Sequence, residues 1–287
     1  MCCRGVGRRL CCGFAAVFLL AACATAQFPY RLAPRSLVEN RLKSFSTSNS
    51  EREGLIRNWL AESGCRAGNL SEQPLEDELP PNVICMLPGK TAEVIVVGAH
   101  TDHVDGSGDG VVDNWTGASL LPSLLYSLSA LPRRHTFIFV GFSAEEKGLA
   151  GSAYYAEHLT PEQRARIEGM VNLDSLGLGP IEVWATHADQ VLLDALARAS
   201  AGSKLSVAAA NVDDLGTADS ESFARYHIPR ITLHSVTRKT WPILHSPRDR
   251  LSAIKIQDYY NSYRLIAAYL AYLDEVLGEA AGNKAAK

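Results

Sequence analysis

Glu93-Val94-Ile95-Val96-Val97-Gly98-Ala99-His100-Thr101-Asp102-His103 decides the fold. Its first part is an unbroken apolar run, which is how a strand buried on both faces reads. Its last part puts two imidazoles and a carboxylate where that strand ends. Thr136 to Phe142 repeats the design and exits into Ser143-Ala144-Glu145-Glu146, and Gly169 to Leu173 exits into Asp174. Further strands are expected at Asn82 to Leu87, Ile181 to Ala185 and Arg230 to Leu233. Helical patterns alternate with them over Trp115 to Leu131, Gly148 to His158 and Asp189 to Ala201. An amphipathic helix closes the series from Ile254 to Leu277, with Tyr259, Tyr263, Ile266, Leu270 and Leu273 at helical spacing. Alternation of this kind predicts a three-layer α/β/α sandwich on a mixed, mostly parallel central sheet. No Pro/Ser/Gly-rich linker interrupts it, so residues 27–277 read as one domain.

Upstream, Pro34 to Ser63 reads as one or two helices. Ser50 is the expected cap, with Glu53 at the third helical position, ahead of an apolar stripe of Leu55, Ile56, Trp59 and Leu60. Gly68 to Pro81 reads as a polar loop. The small, polar tail 278–287 is expected to fray. Residues 1–26 read as a targeting segment. Arg4, Arg8 and Arg9 form a basic start, and the apolar run Cys11 to Ala22 is too short to span a bilayer. Two exits are open. Leu20-Ala21-Ala22-Cys23 resembles a lipobox, which would leave a lipidated Cys23 as membrane anchor. Ala24-Thr25-Ala26 is an A-x-A cleavage signal before Gln27, which would leave a plain secreted chain. Both predict export, to the periplasm or beyond. Five of the seven cysteines lie in this leader. Cys65 and Cys85 remain, and an oxidising compartment predicts a disulfide between them, with two buried thiols as the alternative. The net charge of −3 gives no general basic face, so nucleic acid is not an expected partner. A monomer is expected.

In open α/β sheets, ligands bind beyond the carboxyl ends of the strands. Three strands here deliver histidine or carboxylate to that edge, and Asp113 opens the helix after the first of them. Carboxylate with imidazole suits zinc. The H-E-x-x-H motif is absent, and Ser143 lies in Gly141-Phe142-Ser143-Ala144-Glu145 rather than a nucleophile elbow, which disfavours a serine hydrolase. His100 and Asp102 share one face of the strand while His103 points elsewhere, which favours His100 as a ligand. His135, His158, His187, His227 and His234 read as ordinary surface or core residues. Trp115, Trp241 and Tyr226 either line a pocket or pack in the interior.

Val97-Gly98-Ala99-His100-Thr101-Asp102, Asp113-Asn114-Trp115-Thr116-Gly117-Ala118 and Phe142-Ser143-Ala144-Glu145-Glu146-Lys147-Gly148-Leu149-Ala150-Gly151-Ser152 resemble motifs of the M28 metallopeptidases. Asn172-Leu173-Asp174-Ser175 and His245-Ser246-Pro247-Arg248-Asp249 are similar to the family's fourth and fifth motifs, and all stand in its order. The resemblance implies an aminopeptidase with two zinc ions per chain. His100 and Asp174 would hold one, Glu146 and His245 the other, and Asp113 would bridge them. It implies Glu145 as general base, Asp102 as acceptor for the second ring N–H of His100, and a cis peptide bond after Asp113. A peptide is the implied substrate. Glutaminyl cyclases look like this family but use a single zinc, so that transfer reaction is one alternative. A non-catalytic, metal-binding lipoprotein is another. Two departures stand out. Asp105-Gly106-Ser107-Gly108-Asp109-Gly110 imitates an EF-hand start, but its twelfth position is Thr116 rather than Glu, so a flexible glycine loop is the better reading. Where many relatives have Ser-Asp-His, this chain keeps Asp219 and replaces the histidine with Ser220.

Overall fold

A strand with no polar face must be covered on both sides, and the sheet is built around strands of that type. β3 (Val94–His100) sends Ile95, Val97 and Ala99 to one face and Val96 to the other, all fully buried. β4 (Thr136–Phe142) and β5 (Ile167–Leu173) flank it in parallel, and β8 (Arg230–His234) extends the parallel run. The other strands are β1 (Leu70–Gln73), β2 (Asn82–Leu87), β6 (Glu182–Val183) and β7 (Ala208–Ala209). The spatial order is β1-β2-β4-β3-β5-β8-β6-β7, with antiparallel pairing at β1/β2, β2/β4 and β6/β8. The sheet is therefore mixed and mostly parallel, as its apolar runs predict. This computed structural model describes residues 30–76 and 79–278. The expected leader with Cys23, and the tail beyond Gly278, lie outside the described residues.

The larger core fills one face. There α1 (Arg35–Lys43), α2 (Asn49–Glu62), α4 (Leu121–Ser129), α7 (Gln190–Ser203) and α9 (Ile256–Val276) bury their apolar sides. The smaller core lies on the opposite face, where Tyr155 of α5 (Ala150–His158) and Phe223 of α8 (Ser220–Ala224) pack on Val96, Val140, Phe142 and Met170. Two further helices are short: α3 (Thr116–Ala118) and α6 (Pro161–Ala165). Cys65 and Cys85 form the expected disulfide, tying the end of α2 to β2.

Four local expectations need correction. The cap of α2 is Ser48, not Ser50. Ser48 has the extended backbone a cap requires and accepts from the Glu51 N–H at 3.4 Å, whereas Ser50 is already inside the helix. The polar stretch after Gly68 contains β1, whose Leu70-Ser71-Glu72-Gln73 sequence suits an edge strand with one partner and a wet face. The helix expected from Trp115 breaks between α3 and α4, where Pro122 supplies no N–H for continuous pairing. The glycine loop is only partly free. A Cβ on Gly108 would lie 2.4 Å from the Ser246 carbonyl oxygen, so this part of the loop is pressed against the segment that carries His245.

Candidate metal centre

Parallel pairing puts the ends of β3, β4, β5 and β8 at one edge, and with them the residues that follow each strand. His100 is the last residue of β3, Glu145 and Glu146 begin the turn after β4, and Asp174 follows β5. Asp113 lies in the tight turn Val111–Trp115 with extended dihedrals, and its bond to Asn114 is cis, as the resemblance implied. Asn114 is fully buried. Its Oδ1 accepts from the N–H groups of Gly117 and Ser175, and its Nδ2 donates to the Leu173 carbonyl. The turn bearing Asp113 is thereby fastened to the segment bearing Asp174. Ala144, Ser175 and His245 all adopt the left-handed conformation that non-glycine residues rarely take. Such strain persists only where surrounding contacts impose it, and here it includes His245 and adjoins Asp174 and the expected base Glu145.

The five expected metal-binding side chains come together. His100 Nε2 lies 3.2 Å from Asp113 Oδ1 and 3.6 Å from Asp174 Oδ1. His245 Nε2 lies 3.1 Å from Asp113 Oδ2 and 3.0 Å from Glu146 Oε2. Asp113 thus turns one oxygen to each histidine. Four ligands at zinc bond lengths near 2.0–2.1 Å define a tetrahedron with edges of about 3.3 Å. The nitrogen–oxygen separations straddle that edge length, so the donor sets fit zinc. His100 is sealed off, whereas the His245 side chain is 48% exposed and closes the open side.

Electrostatics point the same way. Burial pushes Glu145 up to about 9 against the opposing pull of His100, and Asp219, Asp174 and Asp113 add to the rise. Contacts with Asp113 and then Glu146 raise His245 to about 10. His100 stands well above the ordinary imidazole value: burial alone would lower it, and Glu145, Asp102, Asp113 and Asp174 outweigh that cost. Crowded negative charge thus raises the proton affinity of these groups, and a divalent cation can take over the task of balancing it.

Asp102 serves differently from expectation. Its side chain is 3.6 Å from His100 Nδ1, too far for a hydrogen bond, and it is the Asp102 backbone oxygen that faces Nδ1 at 3.2 Å. The carboxylate instead accepts from the N–H groups of Glu145 and Glu146 at 3.0 and 3.2 Å. A short turn offers unpaired N–H groups, and a carboxylate two residues beyond the β3 terminus is in reach of them. Asp249 acts similarly on the other side, accepting from Val112 and Asp113 N–H at 2.6 and 3.1 Å.

A cavity of ≈ 320 Å³ opens from the centre, with Glu145 on its wall. Trp184, Val212, Leu215, Val236, Trp241 and Leu244 give it an apolar side. Trp115 is instead fully buried, with its indole N–H donated to the Arg41 and Leu42 carbonyls, and Tyr226 lies under the Arg164 guanidinium. His234, read from sequence as an ordinary residue, lines the cavity. Burial holds it below the ordinary imidazole value despite Asp174, and both ring nitrogens are engaged, with Ala210 O at 3.0 Å and Val236 N at 3.1 Å. It is therefore a neutral wall residue. Its place at the end of β8 was the signal that could have found it. Ser220 bonds the Thr232 hydroxyl at 2.8 Å, while Asp219 is fully buried and pushed up to about 7, chiefly by burial.

Comparison with known proteins agrees with this geometry. Aminopeptidase YwaD of Bacillus subtilis (strain 168) is 36% identical over 88 residues, 31% of this chain and 19% of that protein. The solved aminopeptidase from Aneurinibacillus sp. strain AM-1 is similar with a TM-score of 0.61 at 26% identity, over 68% of this chain and 48% of that one. An Acidobacteriales bacterium glutaminyl cyclase shares the fold, with a TM-score of 0.67 at 17% identity, over 84% of this chain and 93% of that one. The chain thus spans less than half the length of the two aminopeptidases. The sequence profile of Peptidase family M28 matches residues 82–270, which include every residue brought together at the sheet edge. This chain belongs to Peptidase family M28.

Proposed function

We propose that the protein is an exported aminopeptidase that uses two zinc ions to remove N-terminal residues from peptides. The observation that carries this reading is the division of Asp113, one oxygen 3.2 Å from His100 and the other 3.1 Å from His245. His100, Asp174 and Asp113 would hold one ion; Glu146, His245 and Asp113 would hold the other. Zinc supplies Lewis acidity and lowers the pKa of water toward neutrality. The remaining steps belong to the chain. Glu145, on the cavity wall beside the ligands, would take the proton of the attacking water and deliver it to the leaving amine. Asp102 fixes the backbone of Glu145 and Glu146, so the base and a ligand keep a constant spacing. A volume of ≈ 320 Å³ is at the low end for ligand pockets and suits the end of a peptide better than its middle. Its apolar wall and neutral His234 favour a large uncharged N-terminal side chain, because a charged one would be desolvated without a partner.

The Cys65–Cys85 disulfide and the leader pattern support export, with either a lipidated Cys23 or cleavage before Gln27 as the exit; a monomer belongs to the same proposal. The decisive experiment measures zinc per chain together with release from a panel of aminoacyl-anilides and N-blocked peptides. Two zincs and release from free N-termini are expected. One zinc, with cyclisation of N-terminal glutamine, would overturn this reading in favour of the cyclase reaction.

A further inference from the structure

Arg52 is a charged residue on the buried stripe of α2, in register with Ile56 and Leu60, and it is fully buried. It lies outside the residues matched by the family profile. Among the described residues, no carboxylate pairs with it directly. Its guanidinium instead chelates backbone. Nε donates to Ser46 O at 2.6 Å, one terminal nitrogen to Thr101 O at 3.4 Å, and the other to Asp109 O and Gly110 O at 2.5 and 3.0 Å. Thr101 follows His100, and Gly110 leads into the turn that carries Asp113. One rigid fork therefore grips both ends of the loop that joins two expected ligands. Trp115, two residues past Asp113, lies beneath the guanidinium at 5.5 Å. One helical turn earlier on the same face, Asn49 accepts from the His103 N–H at 3.1 Å and donates to the His103 carbonyl at 3.3 Å.

We infer that α2 is a working part of the metal centre, with Arg52 as the positioning residue that sets the separation of His100 and Asp113. The inference rests on the zinc reading above. A buried cation near a cation-binding site carries an electrostatic cost, so a role in packing alone would be met better by an apolar residue. What Arg has and Lys lacks is the planar fork with several fixed donors.

The test uses the full chain, with Arg52→Lys as the main variant. Zinc affinity is read by competition with a chelating indicator, the site geometry by the absorption of the cobalt(II)-substituted protein, and folding by the Tm of the metal-free chain. Arg52→Lys is expected to weaken zinc binding by about 10- to 100-fold and to shift the cobalt bands. A purely structural Arg52 would lower the Tm yet leave zinc affinity within about twofold of the parent, a result that overturns the inference. If Arg52→Lys does not fold, Asn49→Ala decides: a loss of about threefold or more in zinc affinity supports the inference, and an unchanged affinity overturns it. A parent chain that binds no zinc removes the metal reading and this inference with it, which separates that failure from an unchanged variant.

Discussion

His100 and His135 sit between carboxylates at opposite ends of adjacent parallel strands, and they are different kinds of site. His135 precedes β4. Its Nδ1 is 3.1 Å from Asp274 and its Nε2 2.9 Å from Glu168, while Asp274 also accepts from the Arg134 and His135 N–H groups. One imidazole meets two acids there, and every partner is used. At the other end, His100 and His245 face Asp102, Asp113, Glu145, Glu146 and Asp174, with the fully buried Asp219 behind them. Two carboxylates 4 Å apart repel by about 4 kcal/mol at an effective dielectric of 20. Several such pairs would rival the 5–15 kcal/mol net stability of a typical protein. A histidine between acids is therefore no metal signal in itself. An excess of acid, a carboxylate shared between two imidazoles and an open cavity together are.

The comparison breaks most visibly at Glu145. Glu145→Gln keeps the shape and removes the acid, so turnover should fall by about 10²- to 10⁴-fold with the zinc content retained. Steady-state kinetics alongside metal analysis checks this. Activity within tenfold of the parent would strip Glu145 of its role as base. Chelation probes the same edge more broadly. At a hundred times its dissociation constant, zinc adds about 2.7 kcal/mol to the folded state per site, which corresponds to roughly 5–10 °C in Tm for each site filled. Thermal melts with and without chelator should differ by that much. Asp113→Ala should abolish the difference, and His135→Asn should leave it intact.

His135→Asn tests the closed end. Leaving Glu168 and Asp274 without their shared donor should cost about 1–3 kcal/mol. The sign of the pH dependence follows from the two shifts. Burial alone would lower His135, but Asp274 and Glu168 outweigh it and raise it above 6.5. Its contribution is then complete below pH 6.5 and fades as pH rises through the folded value. Asp274 is also opposed by burial, yet His135 and the backbone donors lower it below 3.8, so its contribution is lost as pH falls. Denaturant melts should show the largest gap between parent and variant from about pH 4 to 6.5. A gap that does not vary with pH would mean that the ring acts by packing alone.

Much of this contrast was legible in the sequence. Apolar runs located the parallel strands because strands buried on both faces have little compositional freedom. The strand-end rule then brought His100, Glu145, Glu146 and Asp174 to one edge. Asp113 and His245 lie in turns, where periodicity says nothing, and they were placed by motif. Asp102 was singled out, but whether its carboxylate would meet a ring or two backbone N–H groups depends on a turn whose path no pattern encodes. Arg52 left a faint sign, a charge four residues before Ile56 on an apolar stripe. His234 left a stronger one at the end of β8, and its neutral wall role appears only once Ala210 and Val236 are seen against its ring.

The smallest expected effect concerns the cavity wall, where the open end can be sharpened without touching its charge. Gly216 backs onto the Trp241 indole so closely that a Cβ would lie 2.9 Å from the far edge of the ring. Gly216→Ala must therefore displace the indole by a few tenths of an ångström, and both residues line the cavity. Losing part of the room for a bulky N-terminal side chain should lower kcat/KM for leucyl- and phenylalanyl-anilides by about fivefold, roughly 1 kcal/mol of differential binding. Alanyl-anilide, whose side chain is a single methyl, should keep its rate, so the ratio of leucyl to alanyl turnover is the quantity to measure. A ratio equal to the parent's would place the N-terminal side chain elsewhere than against Trp241. Because the substitution adds one methyl and no charge, zinc content and the chelator-dependent Tm difference should not move, which keeps the reading of the wall independent of the reading of the metal.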